Sequence, residues 1–183
     1  MVNVATLAAL ETLHTPRLRL DPMGPRHRDD VLATLADPEV LRLTGTHATN
    51  LAAGVDAHLA RMATAADRAD WAIIGSSDGR YLGEAVLNDL DADNASMNFR
   101  IALSGSYGEG YGTEATRAVV AYGFDVLGLH RISLGVYAFN PRAVRAYAKS
   151  GFVHEGVARD ALRWDGAWHD EITMAVLATD PRP

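Results

Sequence analysis

Leu18 and Leu20 alternate with polar neighbours, and this period of two predicts a first strand over about Arg17–Asp21. Gly24-Pro25 then opens a helix with Val31, Leu32, Leu35 and Ala36 on one face, and Asp37-Pro38 stops it and starts another short turn. Within Asn50–Asp67, Leu51, Val55, Leu59 and Met62 recur at helical spacing. The middle of the chain reads as antiparallel sheet: a strand at Trp71–Ile74, a turn at Ser76–Gly79, a returning strand at Tyr81–Leu90, a turn at Asp91–Asn94 and a third strand at Ser96–Leu103. A glycine-rich stretch, Tyr107–Gly112, leads into a helix whose predicted apolar stripe is Ala115, Ala118, Val119, Tyr122 and Val126, with Gly128 as terminator. A short strand follows at Arg131–Val136. Asn140-Pro141 then opens a helix with Val144, Tyr147 and Ala148 on its buried face, ended by Gly151. Phe152–Arg163 and Trp168–Leu177 flank the turn Asp165-Gly166 as a C-terminal hairpin. The expected order is a strand, two helices, three strands, a helix, a strand, a helix and two strands.

With 183 residues, 48% hydrophobic and 22% charged, the chain suits one domain, 1–183, with an apolar N-terminal extension over 1–13 read as a tail or packing segment. That extension lacks the basic start of a signal peptide, and no run of about 18 apolar residues predicts a membrane span, so a cytoplasmic location is expected. The absence of cysteine removes disulfides, a cysteine nucleophile and thiolate metal sites. The seven histidines form no metal-ligand pair such as H-E-x-x-H, so no catalytic metal is expected. The formal charge of -6, with arginines scattered among carboxylates, speaks against a nucleic-acid partner and leaves any anionic ligand to local geometry. It is also a weak pointer to cationic acceptors. Assembly into a homodimer is left open.

The glycine-rich turn carries the chemistry. Gly108, Gly110 and Gly112 fall within five residues and run straight into a helix, whose first N–H groups have no partner inside it. Those N–H groups and the helix dipole make an anion cradle suited to phosphate. A plain flexible turn is the alternative. A P-loop does not fit, because no lysine with a following Ser or Thr comes after the glycines. A dinucleotide fingerprint fits poorly, because the preceding strands read as a meander.

The segment S-Y-G-E-G-Y-G-T-E-A (Ser106–Ala115) resembles the acyl-CoA pyrophosphate loop of the GNAT acetyltransferase superfamily, commonly Q/R-x-x-G-x-G/A. Gly110 and Gly112 match. Tyr107 departs from the usual Gln or Arg, and an aromatic there is similar to the RimJ/RimL-like branch that acetylates ribosomal-protein N-termini. Glu109 departs too, standing where a basic residue is common. The resemblance extends through T-P-R-L-R-L (Thr15–Leu20), D-P-E-V (Asp37–Val40), N-P-R-A-V-R-A-Y-A-K-S-G-F (Asn140–Phe152), E-G-V-A-R-D (Glu155–Asp160) and W-H-D-E-I (Trp168–Ile172).

The resemblance implies an α/β (α+β) fold with a mixed, mainly antiparallel sheet of about seven strands flanked by four helices. It implies an acyl-CoA-dependent N-acetyltransferase that uses acetyl-CoA as co-substrate and a primary amine, of a peptide or protein N-terminus or a small molecule, as acceptor. The amine would attack the thioester directly. The implied donor site comprises Gly108, Glu109, Gly110, Tyr111, Gly112 and Thr113, the strand positions Ile101, Ala102 and Leu103 along the pantetheine arm, and Asn140. Tyr147 is the implied general acid for the departing thiolate, the more so because Ala143 stands where many relatives offer a serine. Glu84, in a G-E phrase, is the first candidate for the base that receives the amine's proton; Glu155, Asp170 and Glu171 are the others. The loop Thr44–Asn50 and the two helices before the sheet are expected to line the acceptor side. A larger acyl donor such as succinyl, a catalytically silent CoA-binding module and a nucleotide-binding domain are the rival readings.

Overall fold

The computed structural model describes residues 2–47, 51–62, 64–105 and 107–182, with the backbone alone at 51 and 52. Eight strands form one sheet: β1 (Leu13–His14), β2 (Leu18–Pro22), β3 (Ala69–Gly75), β4 (Tyr81–Asp91), β5 (Ser96–Leu103), β6 (Arg131–Tyr137), β7 (Val153–Trp164) and β8 (Ala167–Leu177). Their spatial order is β1-β2-β3-β4-β5-β6-β8-β7. Six α-helices accompany them among the described residues: α1 (Val4–Leu7), α2 (Arg28–Leu35), α3 (Pro38–Thr44), α4 (Val55–Met62), α5 (Tyr111–Asp125) and α6 (Pro141–Lys149).

The count therefore exceeds the seven strands and four helices expected. The N-terminal extension supplies α1 and β1. Val2 and Leu7 are buried, the Asn3 N–H donates to the Leu127 carbonyl at 2.9 Å, and β1 pairs with β2. The turn expected after Asp37-Pro38 is the helix α3, because the Asp37 carboxylate accepts from the Glu39 N–H at 2.9 Å and Pro38 takes the first helical position. Asn50, where the next helix was expected to start, lies outside the described residues. Val55, Leu59 and Met62 line the buried face of α4 as their spacing predicts. The predicted stripe of α5 fails at its last member. The helix ends at Asp125, so Val126 departs from the 3.6-residue period and is 42% exposed, while Leu127 is buried in its place.

Both faces of the sheet are covered. Trp71, Ile73, Leu87, Phe99 and Val119 belong to one core, on the α5–α6 side; Ala72, Ile74, Val31, Leu59 and Met62 belong to the other, under α2 and α4. Strand β3 is buried at six successive positions because it serves both cores, alternate residues going to each.

The feature that positions the site lies between β5 and β6. These strands are parallel, joined by the α5 crossover, and their pairing runs only through Ser96↔Arg131, Met97↔Ile132 and Asn98↔Ser133. Beyond Asn98, β5 stays paired to β4 as far as Leu103, while β6 stays paired to β8 as far as Tyr137. The sheet therefore forks, and the unpaired edges of Phe99–Leu103 and Leu134–Tyr137 face a gap.

Candidate active site

A cavity of about 680 Å³ occupies the fork and is lined by residues from both faces of the sheet. Its floor includes Phe99 to Leu103 from β5 and Gly135 to Tyr137 from β6. Ile101, Ala102 and Leu103 all line it. Their β6-side backbone groups have no ladder partner, which leaves them free to pair with an extended ligand arm.

On the α5–α6 side, Gly108, Gly110, Gly112 and Thr113 form the mouth. Gly108 and Gly110 have φ of 86° and 87°, a region open to glycine and strained for other residues, and Gly110 is the N-cap of α5. The first closed turn runs from the Glu114 N–H to the Gly110 carbonyl at 3.1 Å, so the N–H groups before it have no helical acceptor. The turn is braced from beneath by Arg17. Its guanidinium donates to the Glu109 carbonyl (3.0 Å) and to Glu114 Oε2 (2.7 Å), and it stacks on the Tyr111 ring at 4.7 Å. Thr15 Oγ1 also donates to Glu114, at 2.6 Å. Burial would lift the Glu114 carboxyl, but the hydrogen bonds from Thr15 and Arg17 outweigh it and hold the group below the usual range. Thr15 and Arg17 thus fasten the start of β2 to the first turn of α5.

Two members of the expected donor set stand outside the cavity wall. Glu109 is exposed and contributes its carbonyl to Arg17, and Tyr111 packs under Arg17. Ser106, the first residue of the motif, lies outside the described residues. Asn140 lines the cavity and also caps α6, its Oδ1 accepting from the Ala143 N–H at 3.1 Å. The sequence reading missed Arg142, Arg145 and Lys149, three cations from α6 that line the same mouth. Their spacing of three and four residues places them on one helical face, a signal present in the sequence but masked by the search for an apolar stripe. Arg142 also covers the Tyr107 ring at 4.1 Å, which gives the aromatic at that position a partner.

Tyr147 sits where the two faces meet. It lines the cavity while its ring packs edge-on to Phe99, the first β5 residue past the last rung, at 6.3 Å, and against Phe152 at 5.9 Å. Burial pushes its phenol above the ordinary tyrosine range, and the charge of Arg100 pulls the other way without reversing this.

The opposite chamber is lined by Thr44, Gly45 and Thr46 at the C-terminal end of α3, by Asn88 and Asp89 at the β4 bulge, and by Arg100 and Glu171. Of the expected acceptor loop Thr44–Asn50, residues 48–50 lie outside the described residues. Glu84 is not part of the cavity wall. It shares a sheet face with Val86 and Asn88, but that part of the face lies under the helices. Burial and the neighbouring Asp70 raise its carboxyl, opposed by Arg100 and Arg68. Glu155 is also elsewhere, paired with Arg131 at the surface. Asp170 holds the hairpin: its Oδ1 accepts from the Asp160 N–H at 2.9 Å across the β7 irregularity. Glu171 alone of the four carboxylates named from sequence reaches the cavity. Its carboxylate lies over Gly135, where a β-carbon would collide with it.

Residues 17–153, well over half the chain, match the model of the acetyltransferase (GNAT) domain, and the chain belongs to that family. Among curated relatives, it is 44% identical over 73 residues to the Bacillus subtilis (strain 168) protein named "Probable N-acetyltransferase YjcK", spanning 40% of each chain. It is 28% identical over 162 residues to the FsC-acetyl coenzyme A-N(2)-transacetylase of Aspergillus fumigatus, covering 81% of this chain and 68% of that one. The spermidine N-acetyltransferase of Vibrio cholerae, solved in complex with CoA and spermine, superposes with a TM-score of 0.84 over 90% of this chain and 98% of that chain. At 19% identity this shows the shared fold.

Proposed function

We propose that the protein transfers the acetyl group of acetyl-CoA to a primary amine, of a peptide N-terminus or a small molecule, by direct attack in a ternary complex. The observation that carries this reading is the fork itself. It joins a mouth of main-chain N–H groups and cations to a polar chamber on the other sheet face, with one tyrosine at the junction. Two substrates can therefore enter from opposite sides and meet without a covalent enzyme intermediate. The diphosphate would sit on Gly108–Thr113, with Arg142, Arg145 and Lys149 neutralising phosphate charge, and the pantetheine arm would extend along Ile101–Leu103.

In the reaction the amine lone pair attacks the thioester carbonyl carbon, a C–N bond forms, the C–S bond breaks and the electron pair leaves on sulfur. The amine loses one proton and the thiolate gains one. A thiol, with a pKa of about 8.5, is a stronger acid than a buried phenol. Tyr147 therefore steadies the departing sulfur chiefly by donating a hydrogen bond, and it hands over its proton only as it regains one. Glu171, the carboxylate on the acceptor wall, is the group we assign to receive the amine's proton, directly or through water. Glu84 could act only from behind the wall.

The motifs around Tyr107, Asp37–Val40 and Asn140–Phe152 support membership of the RimJ/RimL-like branch in this reading, and a cytoplasmic location accords with it. Thiol release from acetyl-CoA over a panel of amines, with mass spectrometry of the products, tests it. Acetylated amine with stoichiometric thiol is expected. Calorimetric CoA binding without thiol release from any amine would mark a silent binding module instead.

A further inference from the structure

The acceptor chamber carries opposite charges that do not satisfy each other. Arg100 projects from β5 on the same sheet face as its cross-strand partner Val86, lines the chamber and is exposed to it. It makes no hydrogen bond or ion pair with any described residue. Glu171 lines the same chamber from β8, opposite Tyr137 in register, and it too has no hydrogen-bond partner among the described residues. The two are not within ion-pair distance of one another. The Glu171 carboxylate lies across Gly135 of β6, in the space that a β-carbon would take. Asp89 is the other carboxylate on this wall, and it is already engaged, its Oδ2 accepting from Asn88 Nδ2 at 3.1 Å. Asn88 in turn accepts from Asn98 at 3.1 Å, which fixes that edge of the wall.

Resting on the acetyl-transfer reading, we propose that the acceptor is a small amine bearing its own carboxylate, of the amino-acid type, with Glu171 receiving the ammonium end and Arg100 the carboxylate. A guanidinium offers paired N–H donors suited to a carboxylate, whereas a polyamine would meet this cation with like charge. The size of the chamber agrees. The cavity of about 680 Å³ must also admit the acetylated end of the donor, so the share left suits a small molecule. The three α6 cations lie at the donor mouth and are occupied by phosphate in this reading, which leaves Arg100 as the cation facing the acceptor.

The test uses amino acids paired with their own carboxamides, together with spermidine, in thiol release from acetyl-CoA. Each pair differs in the carboxylate. The carboxamides have the less basic amines, so nucleophile availability favours them and works against the expected result. The free amino acid should exceed its amide in kcat/KM by at least about tenfold, the scale of one charge-assisted hydrogen bond. Arg100→Met should collapse that ratio by on the order of 10- to 100-fold. Glu171→Gln should raise KM and lower kcat for amide and acid alike while keeping the ratio of their kcat/KM values. Amides or spermidine turned over as well as free amino acids, or a ratio unmoved by Arg100→Met, would overturn this inference and leave acetyl transfer standing. Thiol release from no amine would overturn both.

Discussion

The two halves of the cavity are built by different means. The donor mouth comes from one continuous stretch, the end of β5, the glycine turn and the start of α5, completed by one face of α6. Its chemistry is mainly main chain: free N–H groups, left-handed glycines and unpaired strand edge. The acceptor chamber is assembled from side chains on α3, β4, β5 and β8, brought together from positions as far apart as Thr44 and Glu171. A main-chain site tolerates side-chain variation and suits a ligand every family member shares. A side-chain site can change with single substitutions and suits whatever distinguishes one member from another.

Three experiments sharpen or break that contrast. The largest effect is expected where the halves meet. Tyr147→Phe should lower kcat by about 100-fold or more, the scale of losing one hydrogen-bond donor to developing negative charge, with CoA affinity nearly unchanged by calorimetry. Unchanged turnover would reduce Tyr147 to packing against Phe99 and Phe152. Next comes the main-chain half. A valine at position 110 would carry a branched side chain at φ 87°, with its β-carbon 3.3 Å from Arg17 Nη2. Strain of about 1–3 kcal/mol at such a position corresponds to roughly 5- to 150-fold weaker CoA binding. Full affinity in Gly110→Val would break the claim that backbone geometry forms the cradle.

The smallest effect is expected at Glu84, behind the wall. Glu84→Gln should reduce kcat less than Glu171→Gln does, and its clearer signature is in stability. Burial raises the Glu84 carboxyl in the folded protein, so between the ordinary glutamate value and that raised value the folded state holds more protons than the unfolded one. Glu84 therefore lowers stability as pH rises through that window. The glutamine variant should show a flatter decline in denaturant midpoint from acid toward neutral pH. A larger loss of kcat at Glu84 than at Glu171 would return the base to β4.

How much was legible follows the same division. The glycine turn was named from local pattern, while Ile101–Leu103, Asn140 and Tyr147 were named from the family resemblance, and all but Glu109 and Tyr111 of the donor set line the cavity. Those two lie off the cavity wall, because a motif specifies the path of the backbone, whereas the Arg17 side chain that packs on Tyr111 comes from just before β2, nearly a hundred residues earlier. Glu84 was favoured because it lies in a G-E phrase similar to one in the family, and alternation grouped it with Val86 and Asn88 without saying whether that face meets the cleft. Which parts of that face are roofed by helices and which open into a cleft is invisible to a period of two.

Hydrophobic periodicity, turn residues and the N-caps at Asp37 and Asn140 act over a few residues, and so the chain by itself determined most of the elements and the phosphate-type cradle. The fork, the placing of Glu171 alone of the four carboxylates in the cavity wall and the sharing of that wall by Arg100 were decided only in three dimensions. They depend on where the β5–β6 ladder stops and on the register of β8 against β6, and both are settled by packing between segments that are strangers in sequence.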